Sequence, residues 1–90
     1  MTRLEWDPRR EWVNFHKHGV DFVAASKAFQ DPQRKIFEDA RHGEKEQRFY
    51  CIGKVKGKIL TVRFVYRENV IRIFGAGYWR KGKAIYEKEE

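Results

Sequence analysis

Three groups of residues in this chain carry side chains able to do chemistry. In Lys17-His18-Gly19 the histidine stands just before a glycine of the kind that ends helices. An imidazole titrates near neutral pH, so His18 can act as a general acid or base. It also suits the negative end of a helix dipole, a purely structural role. Tyr78-Trp79-Arg80-Lys81-Gly82-Lys83 is the densest mixture of aromatic and cationic side chains. Aromatic faces stack on unpaired bases and cations neutralise phosphates, although Tyr78 and Trp79 could equally anchor a terminal helix. The third group is His42, Glu44, Glu46 and Arg48. Glu46 and Arg48 stand two apart at the start of a strand, the spacing of a plain ion pair on one sheet face. RNA cleavage without a metal would use such groups differently: the neighbouring 2′-hydroxyl attacks, a base takes its proton, and cations steady the charged transition state.

Other chemistries are excluded by spacing. The histidines are His16, His18 and His42, no pair has helix-turn ligand spacing, and Cys51 stands alone, so neither a metal site nor any cofactor is expected. One cysteine forms no intrachain disulfide and fits a reducing cytoplasm. Gly75-Ala76-Gly77 looks like part of a dinucleotide fingerprint, but Arg80 takes the place of the third glycine and no parallel strand follows. Those glycines are expected to turn the chain out of the sheet, and backbone N–H groups at the next helix start could hold a phosphate. No signal-peptide core and no membrane-length apolar run is present.

Charge then ranks the groups. The net charge is +7, and it is uneven: Gln47 to Ile85 holds ten Lys/Arg and one acid, Glu68. Basic residues alternating with aromatics in such a stretch are what a phosphate backbone or an acidic partner would exploit.

The elements that must position these residues follow from period and caps. The 90 residues are expected to form one domain. Arg3 to Trp6 can open the fold as a strand. Asp7-Pro8 reads as an N-cap and first helical residue, with the helix running to about Lys17 and carrying Trp12, Phe15 and His16 on one face. Asp21 caps a second helix, Phe22 to about Phe29, with Phe22, Ala25, Ala28 and Phe29 as its apolar stripe, and Asp31-Pro32 stops it. The two helices are expected to pack as an αα-hairpin. Arg34 to Phe37 can be a short strand. Arg48 to Val55, Lys58 to Tyr66 and Val70 to Ala76 read as an antiparallel meander with tight turns at Lys56-Gly57 and Arg67-Glu68-Asn69. Trp79 to Lys88 reads as a short helix. Alternation puts Leu60, Val62, Phe64, Ile71 and Ile73 toward the helices and Arg48, Lys54, Arg63 and Arg72 on the opposite face.

At this level of detail the chain resembles the BrnT-type toxins. The resemblance rests on Glu5-Trp6-Asp7, Asn14, Lys17-His18-Gly19-Val20, Phe22, Ala25, Phe29 and Asp31-Pro32. It continues through His42, Glu46-Gln47-Arg48, Ile52-Gly53, Leu60-Thr61-Val62 and Ile71-Arg72-Ile73, so it spans about Arg3 to Tyr86. It implies an α+β, RelE-like fold: a small antiparallel sheet of three to four main strands on two N-terminal helices, with a short C-terminal helix. It implies the toxin of a type II toxin–antitoxin pair, an endoribonuclease that stops translation. The implied partners are RNA, on or off the ribosome, and an antitoxin with a ribbon-helix-helix domain, through which alone operator DNA is reached. The family commonly places an arginine after the alanine that ends the last strand. Here Gly77 follows Ala76, and Arg80 or Lys81 is left to substitute.

With the clustered charge, the resemblance assigns Arg48 and Arg72 as phosphate and transition-state cations, His18 as the proton-transfer group and Lys17 as an auxiliary cation. Lys54, Arg63, Tyr78, Trp79, Arg80 and Lys81 are the expected RNA-binding residues. The alternative is a non-catalytic basic module that holds nucleic acid or an acidic antitoxin segment.

Overall fold

The structure is a computed structural model and describes residues 3–41 and 45–88. His42 and Glu44 lie outside the described residues. The strands are β1 (Arg3–Trp6), β2 (Lys35–Asp39), β3 (Arg48–Val55), β4 (Lys58–Arg67) and β5 (Val70–Gly77). The helices are α1 (Pro8–His18), α2 (Phe22–Lys27), extended by a 3-10 turn Ala28–Gln30, and α3 (Arg80–Glu87). The architecture is α+β.

Local chemistry sets most boundaries. Asp7 caps α1 by accepting from the Arg9 N–H at 2.9 Å, with Pro8 in the first turn, where its missing N–H costs nothing. Gly19 ends α1 in the left-handed conformation and donates its N–H to Phe15 O at 2.8 Å. Asp21 caps α2 through the Ala24 N–H at 2.7 Å. Both hairpins of the meander turn on two residues with positive φ, Lys56-Gly57 and Glu68-Asn69, the geometry that matches strand twist.

The sheet corrects the expected topology. It has five strands in the order β1-β5-β4-β3-β2, and it is mixed, because β1 pairs with β5 in parallel. α1, α2 and strands β2 to β4 lie between these two strands in sequence, so the chain crosses the sheet before β5 forms beside β1. Meander alternation is as expected as far as Ile73. Phe49, Cys51, Val62, Phe64, Ile71, Ile73 and Ala76 face α1 and α2 over a core that also holds Phe22, Ala25 and Ala28. Gly53 is required here, since a Cβ would come 2.4 Å from Ala28 O.

The expected αα-hairpin does not form. α1 rests on β5, while α2 packs on β3, β4 and β5. Glu11 ties them together, accepting from Phe22 N–H at 2.8 Å and from Trp6 Nε1 at 3.2 Å. Trp12 and Phe15 do share a helix face, but that face is the exposed one, and α1 turns buried Asn14 to the sheet instead.

The opposite sheet face is not wholly open either. α3 lies across it against β3 and β4, so close that a Cβ on Gly82 would stand 1.9 Å from Thr61 Oγ1. Its far end is fastened. Tyr86 donates its hydroxyl to Asp31 at 2.6 Å, and Lys35 donates to the Ile85 and Lys88 carbonyls at 2.8 and 2.9 Å.

Candidate functional site

A β-bulge organises the part of the basic face that α3 leaves open. Arg63 pairs with Gly75 and Phe64 with Ile73, so Phe74 is an extra residue in β5. A bulge re-aims side chains. Here Ile73 and Ala76 both stay in the core, and Phe74 turns to the basic face. The Arg48 and Arg63 guanidinium carbons lie 5.2 and 5.1 Å from the Phe74 ring centroid. Such stacking holds guanidiniums in place without consuming their N–H donors. The sequence carries no signal for the place of Phe74 between two arginines, which depends on the bulge.

Arg63 also lines a shallow cleft with Lys17, His18, Phe74 and Trp79. The position of α1 explains how. Asn14 Nδ2 donates to Val20 O and Ala76 O, each at 3.0 Å, while Asn14 Oδ1 accepts from Ala76 N–H at 3.2 Å. This clamp fixes α1 over the end of β5. His18 is one turn further along the same helix face, and its ring meets Trp79 edge-on at 5.2 Å. Asn14 was visible in the family-like pattern, but its function as a clamp has no sequence signal beyond a polar residue on the inward helix face.

The remaining expected residues fall in three places. Arg72 lies on the same strand as Phe74 but is already engaged. It is the in-register neighbour of Glu5 across the parallel β1–β5 pair and forms an ion pair with it. Lys54 sits at the other end of β3, where it lines a separate groove with Tyr78 and Arg80. Its backbone N–H donates to Asp31 at 2.7 Å. Lys81 joins Arg63 and Trp79 around a third cavity, under α3. The structure therefore brings Lys17, His18, Arg48, Arg63 and Trp79 to one end of the sheet, and does not bring Lys54, Tyr78 and Arg80 there.

Two further expectations change. Glu46 does not take Arg48 as its ion-pair partner; it binds Arg67 through both oxygens, at 2.8 and 3.0 Å. The Arg67 hydrogen bond holds the Glu46 carboxyl below its ordinary range against a smaller burial penalty, with the charges of Arg67, Arg48 and Arg72 adding to it. Gly75-Ala76-Gly77 does not turn out of the sheet before a helix but forms the end of β5. Gly77 has a packing reason instead: a Cβ there would come 2.8 Å from the Trp79 ring.

Tyr50 was not singled out in sequence, yet it lies on this face and donates its hydroxyl to buried Asp39 at 3.0 Å. Burial, then the Asp39 hydrogen bond and charge, push the phenol upward against the opposing charges of Arg63 and Arg41. Cys51 is buried in the core, and that burial pushes its thiol up to about 12, so it is a packing residue. Among the described residues no group of His, Cys, Asp or Glu could hold a metal ion. No helix among them is long and apolar enough to cross a membrane.

Two arginines stacked on an aromatic ring, with a lysine and a histidine in the adjoining cleft, give this end of the sheet a cationic and aromatic surface. The family model for BrnT, the ribonuclease toxin of type II toxin–antitoxin systems, matches residues 6–82, and the chain belongs to that family. An antitoxin partner follows from this membership. A comparison with curated proteins finds no match.

Proposed function

We propose that this chain is the endoribonuclease of its toxin–antitoxin pair, cutting RNA and so halting translation until an antitoxin covers the Arg48–Phe74–Arg63 face. The observation that carries the reading is the position of Arg63, shared between the arginine-stacked ring and the Lys17–His18 cleft. A phosphate lying over Phe74 meets two guanidiniums with His18 nearby. His18 takes the proton of the 2′-hydroxyl, and the 2′-oxygen attacks phosphorus. The bond from phosphorus to the 5′-oxygen breaks, and that oxygen leaves with a proton from the Lys17 ammonium. The products are a 2′,3′-cyclic phosphate and a 5′-hydroxyl. The arginines stabilise the charge that gathers on phosphorus in between. Arg63 replaces Arg72 as the second cation, because Arg72 is paired with Glu5. Arg72 acts through that pair, holding β1 to β5. The fold is RelE-like in this reading, and the antitoxin is a ribbon-helix-helix protein that carries the complex to operator DNA.

The test is production of the chain without its antitoxin. Growth arrest is expected from the wild type and is lost in an Arg48→Ala plus Arg63→Ala variant that still melts cooperatively. Arrest persisting in that variant refutes the assignment. A second reading, a non-catalytic binding module, draws on Gly77 standing where the family commonly has an arginine. It predicts RNA binding without cleavage products.

A further inference from the structure

α3 does not lie flat on the sheet. Between its inner face and β2–β4 it leaves a cavity of about 400 Å³. That volume falls at the lower end of the range for small-molecule sites. Its walls are mainly apolar. Phe37 and Tyr50, neighbours across β2 and β3 with ring centroids 5.2 Å apart, form the floor, and Trp79 stands at the side. Arg63 and Lys81 supply cations at the same cavity. Buried Thr61 also lines it, and its hydroxyl, beneath Gly82, has no hydrogen-bond partner among the described residues. Helix packing alone would favour closing this space, yet the aromatic rings and two cations are held around it.

We infer that this cavity holds one unpaired nucleobase of the RNA, taken out of its stack and laid against Phe37, Tyr50 and Trp79. The inference rests on the ribonuclease reading above and names the part of the substrate that reading leaves unspecified. Three features favour a base over another occupant. The rings offer π-faces, on which every base stacks. Arg63 and Lys81 are donor-only side chains suited to the phosphates flanking a splayed base. Arg63 belongs both to this cavity and to the Lys17–His18 cleft, so a strand whose phosphate lies in the cleft reaches the cavity with a neighbouring nucleotide. The cavity therefore makes the base next to the cleaved phosphate a determinant of where the RNA is cut.

The experiment compares two labelled 2′-deoxy tetranucleotides, which lack the attacking hydroxyl: one with bases and one abasic throughout. The full-length protein is expected to bind the base-bearing strand roughly five- to a hundred-fold more tightly. Phe37→Ala removes part of the floor, and Ile85→Trp fills the space from α3 without removing an aromatic wall. Either variant is expected to shrink the preference while leaving abasic binding unchanged, and thermal melts report folding independently. Equal binding of the two strands by the wild type overturns the inference, as does a preference undiminished in both folded variants. RNA cleavage by the wild type is measured alongside. Cleavage with equal strand binding removes the base pocket and leaves the ribonuclease reading intact, whereas neither cleavage nor binding removes both.

Discussion

Gly77 and Trp79 act as a pair. The Trp79 indole occupies the space over residue 77, and a Cβ there would stand 2.8 Å from it. An arginine at position 77 is therefore incompatible with Trp79 where it lies, and the departure from the family pattern has a steric partner two residues on. Trp79 in turn meets His18 and borders the cavities on both sides of Arg63. Gly77→Ala is expected to push the indole outward and shift tryptophan emission to longer wavelength, with binding of short RNA weakened several-fold. An unshifted spectrum would mean that Trp79 is not wedged over residue 77. At this scale the sequence was legible by type and not by partner. His18, Lys17, Arg48 and Arg63 are recognisable as chemistry-bearing residues. That Arg72 belongs to Glu5, and Glu46 to Arg67, depends on which strands become neighbours.

Among the elements, α3 decides how much of the basic face remains open, and its attachment has a pH signature. Tyr86 is held to Asp31, whose hydrogen bond, then burial, then charge raise the phenol to about 12. A phenol in an unfolded chain titrates at about 10. A raised folded value means that the contribution is complete below about 10 and is lost as the pH rises through about 12. Burial pushes Asp31 upward, but the Tyr86, Lys54 and Gln33 hydrogen bonds and the Lys54 charge outweigh it and hold the carboxyl below its usual range. That contribution is present above the unfolded carboxylate value, about 4, and fades as acid titrates Asp31. The melting temperature of the wild type is therefore expected to be flat across neutral pH and to fall above about pH 10. Tyr86→Phe melts lower at neutral pH, and its alkaline fall is shallower. Parallel curves for the two proteins would contradict this attachment.

The elements themselves were largely readable, because caps and turns are local: Asp7-Pro8, Gly19, Asp21 and Lys56-Gly57 mark their ends in a few residues. The bulge at Phe74, the parallel β1–β5 pair and the descent of α3 onto the basic face are long-range outcomes. Alternation within one strand carries no signal for them.

For the whole molecule, charge and topology converge. The Lys/Arg-rich span from Gln47 to Ile85 is the meander plus most of α3, so the sheet converts a run of charge into a face. Binding of single-stranded RNA should then weaken with salt, by about 0.7 log units per log unit of salt for each phosphate neutralised. Replacing both Arg48 and Arg63 by alanine is expected to flatten that slope by about 1.4, whereas replacing Lys54, in the separate groove, changes it less. Titration of a labelled, non-cleavable strand at several salt concentrations measures the difference. An unchanged slope in the double variant would place the RNA on another surface.

The most direct test of the central claim is the chemistry of the cut. Purified protein is incubated with RNA in the presence of a chelator, with and without ribosomes, and the ends of the fragments are identified by mass spectrometry. The account predicts fragments ending in 2′,3′-cyclic phosphate and beginning with 5′-hydroxyl, formed by the wild type and absent with Arg48→Ala plus Arg63→Ala. RNA left intact under both conditions, or fragments carrying 5′-phosphates, would contradict it.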